Sequence, residues 1–243
     1  MRIDVMGVTF DNVTMDEALA RFRQLMQGDR AAYCVTPNAE IVYEAVHDES
    51  LRELLNRADL VLPDGAGVIR SARILGTPLK EKVAGIEFAA GVMDILAQDG
   101  TGLYLLGGKP GIAQMAAENL VKKYPGLNIV GYSDGYFKND DMAVEKVNES
   151  GAEVLFVCLG APKQEKFMER NQDRLRVKFM AGLGGSLDNF AGIVKRAPKW
   201  MIRANLEWLY RLMKEPWRFK RMLRLPKLLH MVEQRKKEND KKG

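Results

Sequence analysis

The segment EVLFVCLGAPKQ, residues Glu153–Gln164, decides the fold. The run at 153–159 is apolar after its first residue, which predicts a strand buried on both faces, the form that strands take in parallel sheets. A Gly-Ala-Pro turn follows, and helix-like sequence follows the turn. Strand, glycine turn and helix in this order form the repeating unit of α/β domains.

The same unit recurs over residues 1–194. Further apolar runs predict buried, mainly parallel strands at 31–35, 59–62, 102–106, 127–131 and 177–183. Capping-box signatures at Thr14–Glu17 and Ser50–Glu53 predict the starts of two amphipathic helices, because the cap hydroxyl and the Glu bind otherwise unpaired backbone N–H groups. We therefore expect an α/β core over residues 1–194, with a mainly parallel sheet flanked by helices.

The net charge of +5 hides a strong asymmetry along the chain. Residues 195–243 hold 16 Lys and Arg against 5 Asp and Glu, whereas residues 1–194 hold 21 against 27. All three tryptophans, Trp200, Trp208 and Trp217, lie in the basic part among Met, Leu and Phe. This combination favours contact with an anionic membrane surface over a merely solvated face. Nucleic acid is not favoured, because no recognised reading motif occurs and the core is acidic.

Helical sequence fills the basic part. Its pattern predicts helices at about 198–214 and from 217 onward, the second interrupted at Pro226, which cannot donate a helical hydrogen bond. Arg211 precedes the break between them, and Arg218 and Arg221 lie one helical turn apart beyond it. Such a set can clamp a pyrophosphate, coat anionic headgroups or solvate a helix.

Two cysteines, Cys34 and Cys158, bear on the cellular compartment. Each lies in an apolar run, which is typical of buried thiols in a reducing compartment rather than of a disulfide framework. Residues 1–5 include charges, and nowhere do 18 apolar residues follow one another. We expect a cytoplasmic protein without a signal peptide or membrane-spanning helix, held peripherally at the inner face of the cell membrane.

Glycine-rich turns follow three of the predicted strands, at 106–111, 159–164 and 182–186. Glycines such as Gly107 and Gly108 let the backbone approach a phosphate, and the helix N-terminus beyond offers free N–H groups and a partial positive charge. One such loop alone is more often a plain turn, but three favour a nucleotide or diphosphate at the carboxyl edge of the sheet. The full dinucleotide and Walker patterns do not occur, and no acidic residue is evidently placed for a ribose, so NAD and ATP are not favoured.

Polar side chains follow two other predicted strands. Asp64 would face the cleft in which α/β folds bind ligands and could act as a general base, although Asp-Gly is also a common turn pair. Thr36 and Asn38 offer a hydroxyl and an amide at the same edge, although Asn after Pro is equally a helix cap. Both interpretations stay open at this point.

Metal and histidine chemistry have no support in the sequence. His47 and His230 are isolated, the two cysteines lie far apart, and there is no Asp-x-Asp triplet of the kind that holds a divalent ion on a nucleotide sugar. The charge of a diphosphate must then be met by arginines and helix N-termini. We expect neither a metal nor a cofactor.

Several motifs, in this order along the chain, resemble the signature segments of the WecG/TagA/CpsF glycosyltransferases. They are Val35–Glu40 (VTPNAE), Pro63–Gly67 (PDGAG), Leu159–Glu165 (LGAPKQE), Gly184–Asp188 (GGSLD), Lys195–Pro198 (KRAP), Glu207–Leu212 (EWLYRL) and Glu215–Arg218 (EPWR). The resemblance extends to about position 225 and is strongest to the TagA branch. That branch transfers N-acetylmannosamine from UDP to undecaprenyl-diphosphate-linked N-acetylglucosamine in wall teichoic acid synthesis.

The resemblance implies an inverting, metal-independent transfer on a Rossmann-like domain. A helical C-terminal appendage, residues 195–243, would close over the active site and associate with the membrane. Asp64 would deprotonate the acceptor hydroxyl, with Thr36 beside it. Gln164 and Asp188 would help to bind the UDP-sugar, for which Asn38, Gly107 and Gly108 are further candidates. Arg211, Arg218 and Arg221 would stabilise the departing diphosphate.

Three positions depart from the family pattern: Lys82, Glu87 and Leu187 stand where Arg, Asp and Phe are more usual. Because Lys does not reproduce the bidentate contacts of Arg, the donor stays open between UDP-N-acetylmannosamine, its uronic acid and other hexoses. Two other hypotheses compete: a Rossmann-type oxidoreductase, suggested by the glycine loops, and a non-catalytic membrane or nucleic-acid adaptor, suggested by the basic C-terminal part. A homo-oligomer is compatible with all of these.

Overall fold

The computed structural model describes residues 1–194, 197–203, 207–214, 219 and 223–241. Its strands are β1 (Arg2–Val5), β2 (Val8–Asp11), β3 (Ala32–Val35), β4 (Leu60–Val61), β5 (Leu103–Gly107), β6 (Ile129–Ser133), β7 (Val154–Cys158) and β8 (Phe179–Gly182). The first two form an antiparallel hairpin. The other six form one parallel sheet in the order β4-β3-β8-β7-β5-β6.

Helices alternate with these strands along most of the described chain. They are α1 (Met15–Leu25), α2 (Ala39–His47), α3 (Glu49–Arg57), α4 (Ala66–Ile74), α5 (Gly85–Asp99), α6 (Ile112–Lys123), α7 (Asp140–Glu149), α8 (Lys163–Asn171), α9 (Ser186–Phe190), α10 (Lys199–Arg203), α11 (Glu207–Lys214) and α12 (Arg224–Asp240). The predicted α/β fold is confirmed. A Rossmann-like parallel sheet is flanked by helices, and helices also form the C-terminal part of the described chain. Each of the six predicted strands is present.

Each face of the sheet has its own hydrophobic cluster. In β7, Leu155 and Val157 point into the cluster formed with α2, α3, α4, α7, α8 and α12. Val154, Phe156 and Cys158 point into the cluster formed with α1, α5, α6 and α9. All five side chains are buried, which explains why the run is continuously apolar rather than alternating.

One of the two predicted capping boxes is wrong. The box at Thr14–Glu17 is present, with both of its reciprocal hydrogen bonds, at the start of α1. At α3, however, the N-cap is Asp48, whose carboxylate accepts from the backbone N–H of Leu51. The hydroxyl of Ser50 donates to that same carboxylate at 2.6 Å. Asp48 is as good a cap as Ser and lies two residues earlier, so the helix starts there.

The hairpin β1–β2 is not predicted by the sequence patterns above, because each of its strands is only four residues long. It joins the main fold through Arg2. The guanidinium of Arg2 donates to the backbone carbonyls of Asn56 and Ala58 and pairs with Asp11 at 3.2 Å.

The last helix, α12, packs on the core rather than standing apart from it. Leu228 and Val232 are fully buried in the cluster shared with α2 and α4. Pro226 lies in the first turn of α12, where a helical N–H has no partner within the helix, so Pro226 is compatible with a helix that begins at Arg224. The segment in which the preceding helix would end lies largely outside the described residues. The predicted helix start at Trp217 lies outside the described residues. The boundary at residue 194 stays a prediction.

No helix within the described ranges is long and apolar enough to cross a membrane.

Two buried polar side chains at the start of α8 brace the loop after β8. Gln164, 2% exposed, accepts from the backbone N–H of Gly184 at 2.9 Å and donates to the carboxylate of Glu165 at 2.9 Å. Glu165 is 1% exposed, and its second carboxylate oxygen, Oε2, has no hydrogen-bond partner among the described residues. Glu44 lies close enough to act on it electrostatically and pairs in turn with Arg224 of α12.

Burial raises the pKa of the Glu165 carboxyl, and the nearby charge of Glu44 raises it further, against the bond from Gln164, which lowers it. In the unfolded chain a Glu carboxyl ionises near pH 4.3. Above that pH the unfolded state releases a proton that the folded state retains. Stability is therefore lost as the pH rises toward the folded-state pKa.

We predict that Glu165→Gln, which cannot ionise, removes this pH dependence. As the pH rises from about 5 to 8, the wild type should lose stability that the variant keeps. The melting temperature of the variant should therefore rise relative to that of the wild type, by about 2–4 °C for each kcal/mol of difference in the free energy of unfolding. Thermal melts across that range measure it, with Glu145→Gln on the exposed face of α7 as the control. A difference that stays flat with pH would show that Glu165 is already ionised in the folded protein.

Candidate active site

The loops that follow β3, β4, β5, β7 and β8 emerge at one edge of the sheet, because the strands run parallel. This edge brings together side chains and loops that lie far apart in sequence. They include Thr36, Asn38, Asp64, Gly107, Gly108, Gln164 and Asp188. The structure therefore places these candidate residues at the carboxyl edge of the sheet, as predicted.

Asp64 and Thr36 meet at the N-terminus of α5. The backbone N–H of Gly85, the first residue of α5, donates to the Asp64 carboxylate at 3.4 Å. A Cβ placed on Gly85 would lie 3.0 Å from Oγ1 of Thr36. The hydroxyl of Thr36 donates to the backbone carbonyl of Gly182 at 3.1 Å, at the end of β8. The carboxylate thus has a long-range contact that a plain Asp-Gly turn would not make.

Asn38 takes the helix-cap role that the sequence left open. Its side-chain oxygen accepts from the backbone N–H groups of Glu40 and Ile41, at 2.9 and 3.1 Å. Its Cβ lies 3.9 Å from the position of a Cβ built on Gly65, the residue after Asp64. Asn38 therefore positions the start of α2 beside Asp64, and a direct role in binding substrate stays a prediction.

Gly107 and Gly108 join three loops through their backbone. A Cβ on Gly107 would lie 2.2 Å from the carbonyl oxygen of Cys158, so only glycine fits where β5 ends against β7. The N–H of Gly108 donates to that same carbonyl at 3.2 Å, and the carbonyl of Gly108 accepts from Gly135 at 2.9 Å. The two glycines hold the loops after β5, β6 and β7 together, and their contact with a phosphate stays a prediction.

Most helices that begin at this edge have no capping side chain at their N-termini. The N-cap residues of α4, α5, α6, α8 and α9 provide no side-chain hydrogen bond. Those of α1, α2, α3 and α7 do provide one. Uncapped backbone N–H groups and the positive ends of several helix dipoles converge on the edge, and such an arrangement suits an anionic ligand.

Gln164 and Asp188 lie on either side of the loop after β8. Both ends of the Gln164 amide are bonded inside the protein, the nitrogen to Glu165 and the oxygen to the backbone N–H of Gly184. Asp188 lies in the first turn of α9, and its backbone carbonyl accepts from Ile193 and Val194. Its carboxylate is 3.8 Å from a Cβ built on Gly185. Contact of either side chain with a donor sugar stays a prediction.

The predicted arginines fall largely outside what the structure describes. The backbone of Arg211 lies in α11, but its side chain is not among the described groups, and Arg218 and Arg221 lie outside the described residues. Two tryptophans of the same part are described. Trp200 and Trp208 are 64% and 45% exposed.

The described part of the chain contains no group of three or more His, Cys, Asp or Glu arranged to hold a metal ion. Cys34 and Cys158 are buried, as predicted, and burial raises the pKa of both thiols, that of Cys158 to about 12. Both sulfurs are therefore protonated and unreactive near neutral pH. His47 bonds the carbonyl of Tyr43, one turn earlier in α2, on the surface.

Two residues that contact the candidate site residues were not predicted from the sequence. Gly85 binds Asp64 through its backbone, and an amide N–H carries no signature in residue type. Glu165 stands next to Gln164 in the motif at 159–165, but a buried carboxylate cannot be recognised before the packing around it is known.

Comparison of the sequence with known proteins identifies the family. Residues 3–242 match the model of the glycosyl transferase WecG/TagA/CpsF family. The chain is 37% identical over 207 residues to the N-acetylglucosaminyldiphosphoundecaprenol N-acetyl-beta-D-mannosaminyltransferase of Bacillus subtilis, which covers 85% of this chain and 80% of that protein. The protein of the same name from Staphylococcus aureus is 29% identical over 239 residues, covering 98% of this chain and 94% of that protein.

Both the extent of the family match and the parallel sheet with its polar carboxyl edge lead to one assignment. The chain belongs to the WecG/TagA/CpsF family of glycosyl transferases.

Proposed function

We propose that this enzyme transfers N-acetylmannosamine from UDP to N-acetylglucosamine linked to undecaprenyl diphosphate, in the synthesis of wall teichoic acid. The printed names of the relatives from Bacillus and Staphylococcus support the sugar and the acceptor. The observation that carries the chemistry is the meeting of Asp64 and Thr36 at the edge where uncapped helix N-termini converge. A base beside an anion-binding surface is what a single displacement at a sugar phosphate needs.

In the proposed reaction Asp64 accepts the proton of the acceptor hydroxyl. The hydroxyl oxygen forms a bond to C1 of the donor sugar as the bond from C1 to the diphosphate oxygen breaks, so UDP departs and the configuration at C1 inverts. The Gly85 N–H holds the carboxylate in place before the hydroxyl arrives. A fixed base in this position needs no reorganisation during the reaction.

The negative charge that develops on UDP requires compensation without metal. The open N-termini of α6, α8 and α9 supply partial positive charge at the edge. Arg211, Arg218 and Arg221, contributed by the C-terminal part, complete this compensation in the proposal. Guanidinium groups bind phosphate oxygens in a bidentate manner, which a diphosphate leaving group can use.

The proposal places the enzyme on the inner face of the cell membrane. Exposed Trp200 and Trp208 lie in a part of the chain that carries 16 basic against 5 acidic residues. Trp side chains partition to the interfacial region of a bilayer, and basic residues are attracted to anionic headgroups. Membrane contact and completion of the active site are thereby coupled, since both depend on residues 195–223.

We predict that Asp64→Asn lowers kcat by about 10²–10⁴-fold, the usual contribution of general base catalysis. The exchange is nearly isosteric, so circular dichroism and the melting temperature should stay close to those of the wild type. Asp99→Asn, at the exposed end of α5, is the control and should retain full activity. Normal turnover by Asp64→Asn would show that Asp64 is not the base.

A second prediction concerns donor and metal. Transfer to a lipid-diphosphate N-acetylglucosamine analogue should be fastest from UDP-N-acetylmannosamine in a panel that includes UDP-N-acetylmannosaminuronic acid and UDP-N-acetylglucosamine. The rate should be unchanged in excess EDTA. Loss of activity in EDTA that added Mg²⁺ restores would contradict the metal-independent mechanism, and faster transfer of the uronic acid would reassign the donor.

A third prediction tests the membrane surface. The double variant Trp200→Ala/Trp208→Ala should bind anionic phosphatidylglycerol vesicles less tightly, with about tenfold weaker binding for each 1.4 kcal/mol of lost apolar contact. Sedimentation with vesicles measures this. The control, Met115→Ala/Val121→Ala, removes two exposed apolar side chains from α6 and should bind as the wild type does. Equal binding by both variants would refute the role of the tryptophans.

A further inference from the structure

Glu165 is a buried titratable side chain that has no task in the proposed mechanism. It lies in the first turn of α8, at the edge that carries the candidate active site, and is 1% exposed. Its carboxylate oxygen Oε2 has no hydrogen-bond partner among the described residues. A buried carboxyl with an unpartnered oxygen costs stability relative to an apolar side chain of similar size. The contact of its other oxygen therefore indicates its role.

The other oxygen, Oε1, fixes the orientation of the Gln164 amide. It accepts from Nε2 of Gln164 at 2.9 Å, while the amide oxygen of Gln164 accepts from the backbone N–H of Gly184 at 2.9 Å. The two ends of an amide are nearly equal in size, so hydrogen bonds distinguish one orientation from its reverse. In the reverse orientation the NH2 group of Gln164 would face the N–H of Gly184, donor against donor. The bond to Glu165 thus keeps the N–H of Gly184 paired.

The Gln164 amide packs directly on the backbone of the turn after β8, residues 182–184. A Cβ built on Gly182 would lie 3.0 Å from Nε2 of Gln164 and 2.9 Å from Cε of Met168, so the amide occupies space that a side chain at this position would need. The turn is also bonded to β7, because the N–H of Leu183 donates to the carbonyl of Val157 at 2.9 Å. The amide and β7 together therefore set the position of the turn.

The same turn holds Thr36 beside the proposed base. The hydroxyl of Thr36 donates to the carbonyl of Gly182 at 3.1 Å. Oγ1 of Thr36 lies 3.0 Å from a Cβ built on Gly85, whose N–H donates to the Asp64 carboxylate at 3.4 Å. A displacement of the turn would move the acceptor of the Thr36 hydroxyl, and a misplacement of about 1 Å can lower a rate about 100-fold.

We propose that Glu165 is a positioning residue for the transfer: it orients the Gln164 amide, which holds the turn at 182–184 and thereby the hydroxyl of Thr36 beside Asp64. The inference rests on the proposed function, because it takes Asp64 as the base. In this role Glu165 touches neither the substrates nor the reacting atoms. Loss of Glu165 should therefore lower kcat and leave the KM for the UDP-sugar nearly unchanged.

Two substitutions of Glu165 separate its hydrogen bond from its volume. Glu165→Met has nearly the same size without a comparable acceptor, and should lower kcat about 10- to 100-fold with little change in KM. Glu165→Gln keeps an oxygen that can accept from Gln164, and should keep kcat near that of the wild type. A side chain that only filled space would be replaced by Met as well as by Gln. Steady-state transfer from UDP-N-acetylmannosamine to the lipid-diphosphate N-acetylglucosamine analogue measures both constants.

Two further variants show whether a loss of kcat comes from this arrangement. Val147→Ala, in α7, truncates a fully buried side chain of the cluster to which α8 contributes, so it lowers stability away from the site. It should keep the wild-type kcat at temperatures at which every variant stays folded. In a Gln164→Met background, Glu165→Met should lower kcat no further, because both changes break the same arrangement.

Gly182→Ala tests the arrangement with Glu165 unchanged, and decides the question if Glu165→Met does not fold. The added Cβ should displace the Gln164 amide and lower kcat as Glu165→Met does. Wild-type kcat in the folded variant that is measured, an equal loss in Glu165→Gln, or a further fall in the double variant would each overturn the positioning role. The proposed function would still stand if Asp64→Asn is inactive in the same assay, whereas normal turnover by Asp64→Asn would overturn both.

Discussion

Parallel pairing of six strands is the constraint on which the rest of the structure depends. Where β5 and β7 end side by side, the backbone of Gly107 lies against the carbonyl of Cys158, with no room for a side chain between them. This contact brings the loops after the two strands together, and the loop after β6 joins them through Gly135. Parallel strands direct every such loop to one edge, so a site assembled from distant segments follows from the pairing itself.

At the carboxyl edge of the sheet, the groups available to bind negative charge are mainly backbone N–H groups. Most helices that start there, among them α4, α6, α8 and α9, lack side-chain caps and present unpaired backbone N–H groups at this edge. One of these groups, the N–H of Gly85, is already used to hold the carboxylate of Asp64. The same edge therefore positions a carboxylate and also favours an anion, two requirements of the proposed sugar transfer that otherwise oppose each other electrostatically.

The C-terminal part contributes to stability as well as to the proposed membrane contact. Through Leu228 and Val232, α12 fills the cluster beneath α2 and α4, and Leu225 lies against Gly67, close after Asp64 in the chain. Arg224 pairs with Glu44, whose charge acts on the buried Glu165. A chain of contacts therefore leads from the first turn of α12 through Glu44 to Glu165, which is bonded to Gln164.

The sequence by itself determined the α/β class, the six strands, the capping box at Thr14 and the polar residues after β3 and β4. Each of these depends on residues close together in the chain, through periodicity, caps and turn chemistry. Only the tertiary structure decided the strand order, the contact of Gly85 with Asp64 and the burial of Glu165. It also decided that Asp48, not Ser50, caps α3. A local pattern cannot specify which segments become neighbours, because that choice is made by the packing of the whole chain.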